Sequence, residues 1–548
     1  MQVASSSQPF DAIVVGSGAT GGWAAKKLTA AGMRVALLEA GAKITPRDFT
    51  EHTPTWQMPF LSYSPEIRKT RPIQSLCYAC RETNYKWFVN DLENPYTQDK
   101  PFLWIRMRVL GGRSLSWGRQ SYRMSDLDFK AASRDGYGDD WPISYADLVP
   151  YYEEVERYVG ISGSEEKLPQ LPDSIFQPGM PMTCAEEAFK QTVQSRFQRC
   201  VTIGRAAVLT RPNNGRPPCH YCGPCEQGCT TFSYFSSPFT TIKDAQATGR
   251  LTLITDAVCS HILTKDGKAA GVAYIDRTSK AAREVRGKIV ILCASTLEST
   301  RLMLNSGICG ESGVLGHYLM DHIFGGHVTA VLPGKPANAW SGPPRRPNGI
   351  YIPRFRNVAA EKTTKGFIRG YGYQGEASPE FRFDAPGIGT AYKNGVRDSQ
   401  WVMTLHAFGE CLARKENRVE IDKDHEDAWG IPILRMNAAR SDNDLKLFGD
   451  AQDQASEMLE AAGGKYISRT GEPSTLGFCI HEVGTARMGH DRKSSVFNPY
   501  CQSHEIPNLF CTDGAVWTST ACQNPTLTMM ALTVRACDYI TREYAKKA

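Results

Sequence analysis

Ala12-Ile-Val-Val15 is an unbroken apolar run rich in β-branched side chains. That is the pattern of a parallel strand buried on both faces. Gly16, Gly18 and Gly21 follow in the order G-x-G-x-x-G, and Trp23 to Ala31, rich in Ala and Lys, is predicted as a helix ended by Gly32. Val35 to Glu39 is predicted as a second buried strand. Trp141 to Glu156 reads as a helix with Ser144 as its N-cap. Residues 250–293 alternate as strands around a hairpin turn at Lys265-Asp-Gly-Lys268. Lys288 to Cys293 is another buried strand, and Thr296 to Asn305 a helix ending near Gly307. Residues 325–475 alternate short strand-like runs with turns, a composition that suits an antiparallel sheet. Met530 to Tyr539 is an apolar helix introduced by Pro525. Residues 42–103 and 163–218 show no period. The first is rich in Pro, Tyr and charge, and the second is expected to be a long excursion over the surface.

The opening strand, glycine turn and helix form a dinucleotide-binding arrangement. The first glycine allows the turn, the second lets backbone approach a pyrophosphate, and the third lets helix and strand pack closely. The helix amides and dipole would hold the phosphate charge. Glu39 stands eighteen residues after Gly21, close to the spacing of the acid that binds a ribose hydroxyl. An acid there disfavours a 2′-phosphate, and Glu39-Ala-Gly41 resembles the FAD-binding version of the motif more than the NAD version.

Composition narrows the class. At 548 residues the chain is too long for one core. A net charge of +6 with no basic tract gives no nucleic-acid footprint. No apolar stretch approaches membrane-span length, and Met1-Gln-Val-Ala-Ser-Ser-Ser lacks the basic and apolar regions of a secretory signal. Most of the 17 cysteines are scattered like small core residues, and the odd total argues against complete disulfide pairing. Cys77-Tyr-Ala-Cys80 reads as two partly buried thiols.

Arg108-Val-Leu-Gly111-Gly112-Arg113-Ser114-Leu-Ser116-Trp117-Gly118 has the paired glycines and small hydroxyls of backbone packed on a flat ligand. Together with the opening motif, it resembles the glucose–methanol–choline (GMC) oxidoreductases. The resemblance continues in Ala294 to Ile308, in Gly316-His-Tyr-Leu-Met-Asp321-His322, in Cys479-Ile-His481-Glu-Val-Gly484-Thr-Ala-Arg487-Met-Gly489, in Asp513-Gly514, and in Asn524-Pro-Thr526. It implies an α/β fold: a Rossmann-like FAD-binding domain and a second domain on an antiparallel sheet. The implied division gives the FAD domain residues 1–45, 104–130, 205–325 and 476–548, with a cysteine insertion near 215–232. Residues 46–103, 131–204 and 326–475 form the substrate domain and connecting segments.

By the same resemblance, Gly16, Gly18, Gly21, Glu39, Gly111, Gly112, Ser116, Asp513, Gly514, Asn524 and Thr526 bind FAD. Some members tether FAD through a His where Ser116 stands, so FAD here is expected to be non-covalent. His481 aligns with the catalytic histidine and Asn524 with its partner. An imidazole suits removal of a hydroxyl proton near neutral pH. His322 is expected to be structural.

Cys219-His-Tyr-Cys222-Gly-Pro-Cys225-Glu-Gln-Gly-Cys229 has the spacing C-x2-C-x2-C-x3-C of bacterial ferredoxins, without their trailing Pro. An iron–sulfur cluster, [3Fe–4S] or [4Fe–4S], is the favoured reading; zinc and two disulfides are the others. Some bacterial GMC subunits carry such a cluster and feed a cytochrome. This implies oxidation of a secondary hydroxyl on a sugar or glycoside, such as the 3-hydroxyl of a glucoside. Gluconate or another sugar acid comes second, followed by an O₂-using oxidase and a non-redox lyase. The expected partners are a small signal-bearing subunit and a cytochrome c-type acceptor. The expected compartment is the periplasm, reached by co-export, with the cytoplasm as the alternative.

Overall fold

In the computed structural model the described residues are 8–62, 64–336, 346–359, 366–380, 387–397 and 400–544. The apolar runs at the N-terminus form a five-stranded parallel sheet in the order Leu509–Cys511, Val290–Leu292, Ala12–Val15, Val35–Leu38, Leu251–Ile254. Ala12–Val15 is central, and its four side chains are buried. The chain proceeds from it to Val35–Leu38 on one side and only much later fills the other side with Val290–Leu292. That change of direction leaves a crevice at the strand's carboxyl end, where open α/β sheets bind ligands. Gly16 stands at that point.

The helix Ala19–Ala30 starts four residues before its first large apolar residue, Trp23, and is buried along Thr20–Ala25. The C-terminal helix runs Thr526–Tyr544, longer at both ends than its apolar stretch, and packs on Ala19–Ala30 and on Tyr145–Val159. Ser144 caps the last of these in a reciprocal box with Asp147. Thr296–Asn305 has the predicted bounds. The hairpin Ala257–Lys265/Lys268–Asp276 turns through Asp266 and Gly267, both at positive φ, as a tight two-residue turn requires.

A second sheet of six antiparallel strands has the order Lys465–Arg469, His327–Pro336, Gln400–Gly409, Tyr371–Pro379, Ile350–Ile352, Thr202–Ile203. One face of this sheet is dry. Trp401, Met403 and Leu405 pack there against Leu447, Phe448, Ala451, Ala455 and Met458 of the helix Asp442–Ala461. That 20-residue helix was hidden in a stretch expected to be strands and turns. Its start signal is in the sequence: Ser441 and Asp444 form a capping box.

The expectation for residues 163–218 is corrected in the same way. They hold the helix Cys184–Phe197, capped by Thr183 and Glu186, whose Ala185, Phe189 and Val193 are core residues. They also hold Val201–Leu209, which is buried throughout. Both terminal nitrogens of Arg205 donate, to Pro172 and Asp173, and Thr202 donates to Glu166, so a polar composition coexists with burial. Cys77 and Cys80 are fully rather than partly buried, each 5% exposed.

Candidate active site

The crevice at the end of Ala12–Val15 opens into a cavity of about 1030 Å³ that runs from the parallel sheet to the second sheet. At the sheet end it is lined by Gly16, Ser17, Gly18, Glu39, Gly112 and Ser116, and further along by Asp513, Gly514, Asn524, Thr526 and His481. Residues distant in sequence are thus gathered on one surface. Gly21 and Gly111 do not line it; they stand behind. A Cβ on Gly21 would lie 1.8 Å from the Gly16 carbonyl oxygen, so this position sets how closely helix and strand approach. The Gly111 amide donates to Ser17 Oγ at 2.8 Å and ties the 111–118 loop to the first turn.

The lining fits a dinucleotide. Gly16 is at φ +96°, and a Cβ on Gly18 would meet nothing within 4 Å. The backbone there is therefore bare toward the cavity, with the start of a helix beside it. Glu39 accepts from the amides of Ser17 and Gly41, at 3.2 and 2.7 Å, and from Ser17 Oγ. Burial pushes its carboxyl up, against these donors. Asp513 accepts from Ser299 Oγ at 2.5 Å and from the Ala515 amide at 3.0 Å, so its carboxylate is fixed as it faces the cavity. Ser116 Oγ donates to Met107 Sδ and offers no nitrogen for a flavin tether.

At the other end, His481 Nε2 lies 3.4 Å from Asn524 Nδ2. Gln374, from the second sheet, donates to Asn524 Oδ1 at 2.7 Å. Gln374, Glu376, His406 and Phe408 line this end because strand alternation turns them away from the helix-covered face. On the far side of the His481 ring, Nδ1 lies 3.1 Å from His322 Nδ1 and 3.3 Å from Cys479 Sγ. The backbone of this loop hangs on Asp321, whose carboxylate accepts from the amides of Gly477, Cys479 and His481.

Burial, then His322 and Arg113, holds the His481 pKa well below the usual histidine value, so the ring is neutral. Burial takes His322 down to about 4. Asp321 is pushed up to about 7, first by burial and then by the neighbouring Glu482. His322, placed in the sequence as a structural histidine, is thus in direct contact with His481. Gln374 and His406 were missed because strands of the second sheet carry no motif. Asp321 was quoted in one, without a role.

Cys219, Cys222, Cys225 and Cys229 line a separate recess of about 10 Å³ beside Tyr234 and Pro347. None of the four is joined in a disulfide among the described residues. Among the described residues, the groups of three or more metal-binding side chains whose ligand atoms lie within 4.8 Å of one another do not include this quartet. The recess holds no more than about one water, so an inorganic core requires the 219–229 loop to expand.

The residues 10–324 match the family model for the GMC oxidoreductase N-terminal region and residues 413–533 the model for its C-terminal region. The chain is 31% identical to a 2-methyl-1,2-propanediol dehydrogenase of Mycolicibacterium austroafricanum, over 98% of this chain and 96% of the relative. It is 26% identical to a fructose dehydrogenase large subunit of Gluconobacter japonicus, over 97% and 98%. The fold is similar to that of a pyridoxine 4-oxidase from Mesorbium loti, with a TM-score of 0.63 and 16% identity over 97% of this chain and 99% of that one. With a dinucleotide cradle at one end of its cavity and a neutral histidine at the other, the chain belongs to the GMC oxidoreductase family and is an FAD-dependent oxidoreductase of CH–OH donors.

Proposed function

We propose that the enzyme is a dehydrogenase that oxidises a secondary hydroxyl of a sugar or glycoside, with His481 as base. The observation that carries the reading is the pair His481 Nε2 and Asn524 Nδ2, 3.4 Å apart in the cavity that also holds the dinucleotide cradle. A neutral imidazole can take the hydroxyl proton at Nε2, while the Asn524 amide donates to the same substrate oxygen as charge develops on it. FAD, when bound, supplies the acceptor for the carbon-bound hydride. Gly16, Gly18, Glu39, Ser116, Asp513 and Thr526 hold that group without a covalent bond. Gln374, Glu376, His406 and His327 give the substrate end a hydrogen-bonding surface, which suits a ring bearing several hydroxyls.

The reading extends to an iron–sulfur cluster on Cys219, Cys222, Cys225 and Cys229. In its favour are the four thiols lining one recess. The recess adjoins the cofactor cavity: Tyr234, in its wall, donates to the carbonyl of Leu115 in the 111–118 loop. Three of the four cysteines are partly exposed, which suits delivery of electrons to an external cytochrome c-type acceptor. The fructose dehydrogenase relative is named a large subunit, in keeping with a small partner that carries an export signal and takes this chain to the periplasm.

The test is a panel of glycosides, sugars and gluconate with a dye acceptor, with product NMR and iron analysis. Cys222→Ser should leave substrate-dependent flavin reduction intact, remove iron and stop cytochrome reduction. Peroxide formation without added acceptor would identify an O₂-using oxidase. Zinc or no metal in the wild type would end the cluster reading, and a flavin that no alcohol bleaches would end the dehydrogenase reading.

A further inference from the structure

His481 faces two ways. Its Nε2 meets Asn524 and the cavity; its Nδ1 meets His322 Nδ1 at 3.1 Å and Cys479 Sγ at 3.3 Å. The three ligand atoms of His322, Cys479 and His481 all lie within 4.8 Å of one another. Two imidazoles and a thiolate make a donor set that suits Zn²⁺ and its borderline-soft neighbours. With Zn–N near 2.05 Å and Zn–S near 2.3 Å, a tetrahedral ion needs N···N of about 3.3 Å and N···S of about 3.6 Å. The observed separations are within a few tenths of an ångström of both.

We propose that His322 Nδ1, His481 Nδ1 and Cys479 Sγ form a site for a divalent zinc-like cation, and that its binding switches the catalytic base off. The surroundings suit the charge. The Asp321 carboxylate lies under the loop, held by three backbone amides. Glu482 is buried with one carboxylate oxygen paired to Arg113 and the other without a hydrogen-bond partner. His322 Nε2, on the far side of the ring from the site, is buried without a hydrogen-bond partner. Cys479 and His481 line the cavity, which gives the ion a route in.

The switch follows from counting protons, and it rests on the reading of His481 as base. A neutral imidazole carries one proton and one free lone pair. To accept the substrate proton, His481 needs the lone pair on Nε2 and its own proton on Nδ1. A cation on Nδ1 takes the lone pair there and leaves the proton on Nε2. The Cys479 thiol loses its proton to solvent as the metal–sulfur bond forms. Nothing at Nε2 then accepts the hydroxyl proton, so the substrate is not oxidised. No redox change is involved, and a chelator reverses it.

The test uses the full-length, FAD-loaded enzyme titrated with ZnCl₂ in a metal buffer. Three readouts are followed: zinc retained per chain, zinc-edge X-ray absorption, and anaerobic flavin reduction by substrate. His52, His220 and Cys222 form a second group with ligand atoms within 4.8 Å, so His52→Ala is included to disable it. The site predicts zinc with a sulfur and nitrogen shell in wild type and in His52→Ala, with flavin reduction stopped and then restored by EDTA. Cys479→Ser should weaken binding by more than the roughly 10–100-fold that loss of an outer partner costs. Zinc retained by Cys479→Ser but lost by His52→Ala overturns the proposal. So does a shell without sulfur in His52→Ala, which decides the matter even if Cys479→Ser fails to hold FAD. Zinc bound through Cys479 with flavin reduction unchanged keeps the site and overturns His481 as base.

Discussion

Gln374 Nε2 donates to Asn524 Oδ1 at 2.7 Å, which turns the Asn524 amide so that its Nδ2 faces His481. The second sheet thus orients a residue carried at the start of the C-terminal helix. Gln374→Leu frees that amide to rotate. One neutral hydrogen bond contributes about 0.5–1.5 kcal/mol, so flavin reduction should slow about 2- to 12-fold with FAD still bound. Stopped-flow reduction at saturating substrate measures it; an unchanged rate would mean that Asn524 is oriented by something else.

His481→Ala should lower the rate of substrate-dependent flavin reduction by at least the 10² or so that a lost general base costs, with the flavin spectrum unaltered. Asn524→Ala should cost less, since it removes a donor and leaves the proton acceptor. Reduction of the His481 variant at near wild-type rate would remove it from the chemistry.

The pH dependence of flavin reduction follows from the depressed pKa of His481. Protonation destroys its lone pair, so the rate falls as pH drops through the folded-state value. That value lies well below 6.5, and the limb should therefore be absent at pH 6 to 7 and appear only in more acid solution. His322, Arg113 and Asp321 face the ring and its loop. Of these, Asp321, at about 7, is the group that would impose a shallow step near neutrality. Asp321→Asn should remove such a step and leave the acid limb in place. An acid limb centred near 6.5 would contradict the buried, neutral ring.

Glu39→Ala leaves the amides of Ser17 and Gly41 without their acceptor in a buried turn. An unsatisfied buried donor costs about 1–3 kcal/mol, so purified Glu39→Ala should lose most of its flavin. Gly21→Ala, with its Cβ directed at the Gly16 carbonyl, should do the same with reduced thermal stability. The ratio of flavin to protein absorbance, with and without added FAD, reads both.

The parts of the fold that were legible are those where one pattern has one physical cause. Ala12–Val15 could be read because a strand buried on both faces admits only apolar residues. Gly16 and Gly21 could be read because no side chain fits there. The helix Asp442–Ala461 was missed because polar residues interrupt its apolar face, some exposed, such as Asp453, Glu457 and Glu460, and some buried, such as Gln452 and Gln454, within a region of alternating strands. Gln374 and His406 were illegible for a deeper reason. Their role depends on which face of a strand meets the cavity, and that is fixed only once register and helix packing are known. His322 was read as structural because its neighbour in space, His481, is far away in sequence.

The central parallel sheet is completed by Leu509–Cys511, laid beside a strand whose own neighbour begins at Ala12. Domains ordinarily begin to fold as they leave the ribosome, N-terminal portion first. This one has its first phosphate-binding turn finished hundreds of residues before Asp513 and Thr526 arrive to close the cradle. Closure of the cradle around a cofactor therefore waits for these late segments rather than for the first turn. A chain stopped before Leu509 leaves one edge of the buried strand Val290–Leu292 unpaired, an apolar edge open to association.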